Sequence, residues 1–183
     1  MTSRFDEMYA TDLQTELNVI ELNAKKYLKS RFIYKNPRKT IYIAAPWFDE
    51  KADLLLNTVE NILTMCPNKL MYDFVFPKNN NVDKSPKEVY DDNVNNIVKC
   101  DGMIALISRK DVGTAYEIGL ANAYKKPLCL VGFDESCFNS KTNVMLAFSS
   151  DCCIELKNLV KYVTNNLAVE DVIQITDEWE GKE

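Results

Sequence analysis

Glu117 stands in the segment Asp111-Val112-Gly113-Thr114-Ala115-Tyr116-Glu117-Ile118-Gly119, where almost every other residue is small or apolar. A carboxylate near a helix start with few polar neighbours suits nucleophilic work, because the helix dipole favours its ionised form. Asp111, six residues earlier on the loop that leads into the helix, is close enough to face the same ligand. Gly113 and Gly119 flank the acid, as expected where a ligand or another backbone must come close, and Tyr42 can supply a phenol from a neighbouring strand. The same residues also fit a plainer reading, in which Glu117 is a surface residue of an amphipathic helix and Asp111 its cap.

Composition narrows the chemistry. The chain has no histidine, which removes Ser-His and Cys-His nucleophiles, His proton shuttles and most zinc sites. Acid–base work falls to carboxylates, Tyr, Lys or Cys, and neither a metal nor a cofactor is expected. Six cysteines form no C-x-x-C pair, and four of them lie in or beside apolar runs, as reduced thiols do in a cytosolic protein. A net charge of −5 and a pI near 5.0 argue against nucleic acid or an anionic membrane as partner and suit a small, weakly charged ligand. The N-terminal residues Met1 to Asp6 lack the apolar core of a signal peptide, and no stretch approaches a membrane span of ~20 apolar residues. A cytoplasmic location is expected.

The elements that must position Glu117 follow from periodicity. Leu13, Leu17, Ile20, Ala24 and Leu28 recur at spacings of three and four, which predicts an amphipathic helix over 6–30, stopped by Asn36-Pro37. Buried strands are expected at 41–45, 71–76, 102–107 and 128–133, with a shorter one at 152–156. Helices are expected from Asp49 or Glu50 to about 65, at 87–99, 114–124 and 159–167, and loops at 78–86 and through Ser140. Alternation of short apolar strands with helices implies an α/β fold: a doubly wound, flavodoxin-like sheet of about five mostly parallel strands with helices on both faces. At 183 residues with 46% hydrophobic content the chain fits one α/β domain at 39–183 behind an N-terminal helical extension at 1–38. Ligands bind such sheets beyond the carboxyl ends of the strands, which points to Ala45-Pro46-Trp47-Phe48, to Ser108–Gly113 and to Asp134 onward. Trp47 and Phe48 there can stack on a flat ring, or one or both can fill the core, with Trp47 the expected stacking residue of the two. The five glycines form no glycine-rich phosphate loop.

Four segments together resemble the nucleoside 2-deoxyribosyltransferase family, of the N-deoxyribosyltransferase type, over about residues 39–156. They are Thr40–Phe48, Asn93–Asp101, Asp111–Gly119 and Asn143-Val144-Met145. The resemblance implies Glu117 as the nucleophile that attacks the sugar, Asp111 as a base-site acid and Tyr42 as the residue that orients Glu117. It implies a base pocket lined by Trp47 and Phe48, with Gly113 beside the substrate. Asn143 and Met145 would complete the site of a neighbouring subunit, the Asn reaching the sugar 5'-hydroxyl, so a homo-oligomer with shared sites is expected. The expected ligands are 2'-deoxynucleosides and free nucleobases. In one departure, the family's usual Asp eight residues before Asp101 is Asn93 here, with Asp92 adjacent. Asn93 can hydrogen-bond a base edge but cannot protonate a leaving base, which leaves that role to Asp111, Asp92 or water. Transfer of 2'-deoxyribose between bases in nucleoside salvage is therefore the expected activity. The alternatives are an N-glycosidase on the same fold, or a nucleoside-binding module without turnover. The family's C-terminal carboxylate has no match at Glu183.

Overall fold

The computed structural model describes residues 4–28, 38–66, 71–80, 83–108, 110–138, 143–168 and 173. The helix stop at Asn36-Pro37 and the C-terminal Glu183 lie outside them. Five strands, β1 (Lys39–Ala44), β2 (Tyr72–Val75), β3 (Gly102–Leu106), β4 (Leu128–Gly132) and β5 (Cys152–Glu155), form one sheet in the order β2-β1-β3-β4-β5. Every pairing is parallel, with Tyr42 opposite Met103 and Ala44 opposite Ala105 in the central pair. The expected α/β class and strand positions therefore stand, and "mostly parallel" becomes entirely parallel.

The helices are α1 (Arg4–Glu7), α2 (Ala10–Leu28), α3 (Glu50–Met65), α4 (Pro77–Asn80), α5 (Pro86–Lys99), α6 (Val112–Ala123), α7 (Val144–Ala147) and α8 (Leu159–Thr164). The amphipathic segment at the N-terminus is thus two helices, broken at Met8-Tyr9. α5 begins with a capping box in which Ser85 and Glu88 exchange hydrogen bonds, and Pro86 occupies the first turn. α6 starts two residues earlier than its apolar run suggests, because Asp111 caps it. The segment expected as loop at 78–86 begins within a single helical turn, α4, where Asn79 donates to Glu60 at 2.9 Å, and another turn, α7, capped by Asn143, lies where no element was expected.

Alternation along each strand divides the core in two. Ile41, Ile43, Ile104, Leu106, Val131 and Ile154 face α3 and α8, and Leu13, Leu17 and Ala24 of α2 join the same cluster. Tyr42, Ala44, Met103, Ala105, Leu128 and Leu130 face α5 and α6, which contribute only Ile97, Ile118 and Ala121 among fully buried side chains. The N-terminal turn is tied to the end of β4: Arg4 donates to Asp134 at 3.1 Å, and the Phe5 and Phe133 rings lie 5.8 Å apart. Gly132 admits no side chain there, since a Cβ would meet Cys137 and Phe138 at 2.6 Å. Among the described residues no helix is long and apolar enough to cross a membrane.

Candidate active site

β1 and β3 are neighbours, yet the chain leaves β1 for α3 on one face and leaves β3 for α6 on the other. The two connections diverge beyond the carboxyl ends of these strands and open a crevice, the usual ligand position in a sheet of this kind. Glu117, in the second turn of α6, reaches back over Tyr42 of β1. The Tyr42 hydroxyl donates to Glu117 Oε1 at 2.6 Å, and Asn93 Nδ2 of α5 donates to the same oxygen at 3.4 Å. The Tyr42 side chain is fully buried. Two donors on one oxygen orient the carboxylate and leave Oε2 uncommitted by them.

Burial is the largest influence on the Glu117 carboxyl and raises it; the Tyr42 hydrogen bond opposes this, the Asp111 charge adds to it, and the result is about 7. This departs from the dipole argument. Glu117 is the sixth helical residue, beyond the first turn in which the dipole acts, so desolvation prevails. Burial, then the Glu117 charge, pushes the Tyr42 hydroxyl far above its ordinary value, so it stays a proton donor throughout the neutral range.

Asp111 caps α6: its Oδ2 accepts from the Thr114 amide at 2.6 Å. The plainer expectation of a capping Asp thus describes one carboxylate oxygen, while the charge of the group still acts on Glu117. A Cβ at Gly113 would approach Asp111 Oδ2 to 3.1 Å, so glycine there leaves room beside the carboxylate, whereas at Gly119 the space is open. Asp92, one residue from Asn93, turns instead to Lys84 at 2.6 Å. Trp47 is partly buried against the core, and the Phe48 ring, 76% exposed, lies 5.2 Å from it at a tilt of 34°. This reverses the expected preference for Trp47: the core takes up part of its ring, and Phe48 is the freer to stack on a ligand. Asn143 accepts from the Met145 amide at 2.9 Å, and Met145 is 75% exposed. Both stand at the surface rather than in the Tyr42–Glu117 cluster.

The structure adds residues that the sequence did not single out. Tyr90 of α5 and Tyr116 of α6 bring their hydroxyls to 3.3 Å at the surface, a pairing between segments that no local spacing signals. The Thr114 hydroxyl is buried without a hydrogen-bond partner. Its signal was present in the motif, as a polar residue on the face of α6 that turns to the sheet. Among the described residues no three Cys, Asp or Glu side chains gather as a metal ion would require.

Comparison with known proteins agrees with this architecture. The family model described as nucleoside 2-deoxyribosyltransferase matches residues 41–167. A 2-deoxyribosyltransferase from Bacillus psychrosaccharolyticus superposes with a TM-score of 0.61 at 21% identity, covering 73% of this chain and 99% of its own. A CMP N-glycosidase of Clostridium botulinum superposes with a TM-score of 0.53 at 20% identity, covering 70% of this chain and 100% of its own. At these identities the two likenesses concern the fold. Comparison with curated proteins finds no match.

Proposed function

The chain belongs to the nucleoside 2-deoxyribosyltransferase family, and we propose that it moves a 2'-deoxyribosyl group between purine and pyrimidine bases in nucleoside salvage in the cytoplasm. The observation that carries this reading is the part-buried Tyr42–Glu117 pair at 2.6 Å in a chain without histidine. Glu117 Oε2 attacks C1' of the sugar as the C1'–N bond breaks, and the bonding pair leaves with the base. The transition state resembles an oxocarbenium ion, as in retaining glycosidases, and the product is a glycosyl ester on Glu117. A second base then attacks C1' from the vacated side and expels the carboxylate. Net retention follows from the two inversions. A 2'-deoxy sugar reaches the cationic transition state more easily, having no electron-withdrawing oxygen at C2'.

Tyr42 and Asn93 hold the nucleophile in line through Oε1 and favour its ionised form by donating to it. An Asp in place of Asn93 would instead set a second carboxylate beside Glu117. The leaving base takes its proton from Asp111, from Asp92 after a side-chain shift, or from water. Phe48 and Trp47 stack on the base, and Gly113 lets the substrate approach the start of α6. Asn143 and Met145, exposed at the surface, serve the site of a second copy, so the active form is a homo-oligomer.

The competing reaction is hydrolysis of the same glycosidic bond. A carboxylate at Asp111 would repel a nucleotide phosphate, which disfavours a 5'-phosphorylated substrate. Deoxyadenosine incubated with and without cytosine separates the two reactions. Deoxycytidine formed only when cytosine is present supports transfer; equal adenine release in both tubes, with no deoxycytidine, replaces it with hydrolysis. A strictly monomeric, active enzyme would refute the shared site.

A further inference from the structure

The N-terminal turn α1 lies outside the family-matched residues 41–167, yet it is bound to the carboxyl edge of the sheet from two directions. The Lys51 ammonium, in the first turn of α3, donates to the Phe5 carbonyl at 3.2 Å. The last carbonyls of a helix have no partner within it, and Lys51 supplies one. From the other side, Arg4 donates to Asp134 at 3.1 Å through its guanidinium and to the Ser136 hydroxyl at 3.3 Å through its amide. Its guanidinium also lies over the Phe133 ring, 5.8 Å from the centroid, and the Phe133 amide donates to Ser108 at 2.9 Å. Because β3 stands between β1 and β4, α1 ties together the chain where it leaves all three strands.

The turn between β1 and Lys51 carries the aromatic pair. Asp49, next in sequence, accepts from the Ala52 amide at 3.0 Å and fixes the start of α3. Trp47 packs on the same buried cluster as Phe5, whose side chain is fully buried. The exposed Phe48 ring takes its position from this backbone rather than from a packed core. A ring that must be immobilised when a ligand arrives loses part of its stacking energy to that ordering, whereas a ring held beforehand keeps it.

We infer that α1 is a strut, with Phe5 as its positioning residue, that holds the Trp47–Phe48 turn in the conformation on which a nucleobase stacks. This rests on the reading above that the aromatic pair is the wall of the base site. Phe5 acts through that turn and touches no reacting atom. Tyr42 and the buried stripe of α6, the helix of Glu117, lie on the opposite face of the sheet from Phe5. The strut therefore governs how tightly a base is held and leaves the chemistry at C1' alone.

The test compares the full chain with its Phe5→Ala, Phe5→Leu and Arg4→Ala variants, by equilibrium binding of deoxyadenosine and by steady-state transfer to cytosine. Leu63→Ala, at the far end of α3, is the control for loss of stability alone. Phe5→Ala should raise the Kd for deoxyadenosine and the KM for cytosine by about three- to tenfold, the factor set by ordering one or two side chains on binding. Its kcat at saturation, per folded molecule, and its pH–rate inflection should stay those of wild type. Phe5→Leu, which refills the space with an apolar side chain, should bring Kd and KM back toward wild type. Arg4→Ala, whose exposed ion pairs add little to stability, should shift both in the same direction by a smaller factor, and it carries the test by itself if Phe5→Ala does not fold. Kd and KM that stay unmoved, as expected for Leu63→Ala, or a fall in kcat without a change in Kd, overturn the inference. Wild type that binds deoxyadenosine without transferring its sugar would sink the transfer reading, and the shift in Kd would still decide the role of α1.

Discussion

The two faces of one sheet have been put to different uses. On the α3 side, β1 and β3 present Ile41, Ile43, Ile104 and Leu106 to a layer of three helices rich in Leu, Ile and Val. On the α5–α6 side the same strands present Tyr42, Ala44, Met103 and Ala105, and the covering helices bury few side chains. The first face is filled with branched aliphatic groups, which stabilise by burial and packing. The second holds a buried phenol and a desolvated carboxylate, groups that oppose folding unless they serve a purpose. Alternation along β1 alone separates the roles, since Ile41 and Ile43 face one way and Tyr42 the other.

If that division is right, substitutions on the two faces should separate activity from stability. The largest effect is expected from Glu117→Ala, which should lower transfer by roughly four orders of magnitude or more while circular dichroism and cooperative melting are kept. Retention of more than a trace of transfer would refute the assignment. On the opposite face, Leu63→Ala should destabilise by about 2–5 kcal/mol in denaturant titration, with kcat per folded molecule unchanged. A fall in kcat at full folding would show that the faces are coupled. Tyr42→Phe should reduce transfer by roughly 10–100-fold, on the scale of losing a charge-assisted hydrogen bond. Because the Tyr42 hydrogen bond holds the Glu117 carboxyl down, this variant should also move the pH–rate inflection above its wild-type position near 7.

The smallest effect concerns the stability that the active face gives up. The Glu117 carboxyl rises from 4.5 to about 7 on folding, so the folded state binds the proton more tightly than the unfolded state. Stability from this group is therefore greatest below pH 4.5 and is lost as the pH rises toward 7. Glu117→Gln, which keeps the acceptor for Tyr42 but cannot ionise, should match wild type at low pH and exceed it above pH 7 by up to about 3 kcal/mol. Melting curves across that range would check the sign. A variant less stable than wild type at pH 8 would mean that the ionised carboxylate is well solvated.

The stable face was the easier one to read. Runs such as Ile41-Tyr42-Ile43-Ala44-Ala45 mark strands because nearly every residue is buried, and the spacing of Leu13, Leu17 and Ala24 marks α2 on its own. The motif around Glu117 showed which acid was isolated from polar neighbours, and its link to Tyr42 followed from a resemblance rather than from spacing. Three features lay beyond the sequence. The short helices α4 and α7 are single turns of four residues, too brief for a helical period to show in the sequence. The burial of Glu117 depends on α5 and α6 closing together, a long-range event that local pattern does not encode. The difference between Trp47 and Phe48 arises where the chain turns from β1 toward α3, so two adjacent aromatic residues meet opposite environments.

The account depends on a transient ester between deoxyribose and Glu117. Rapid mixing with deoxyadenosine in the absence of an acceptor base, acid quenching and peptide mass spectrometry would look for it directly. The expected result is one deoxyribosyl group on the peptide that contains Glu117, lost when cytosine is added before the quench. Adenine released at the full single-turnover rate with no adduct on Glu117, or with the adduct on another residue, would contradict it.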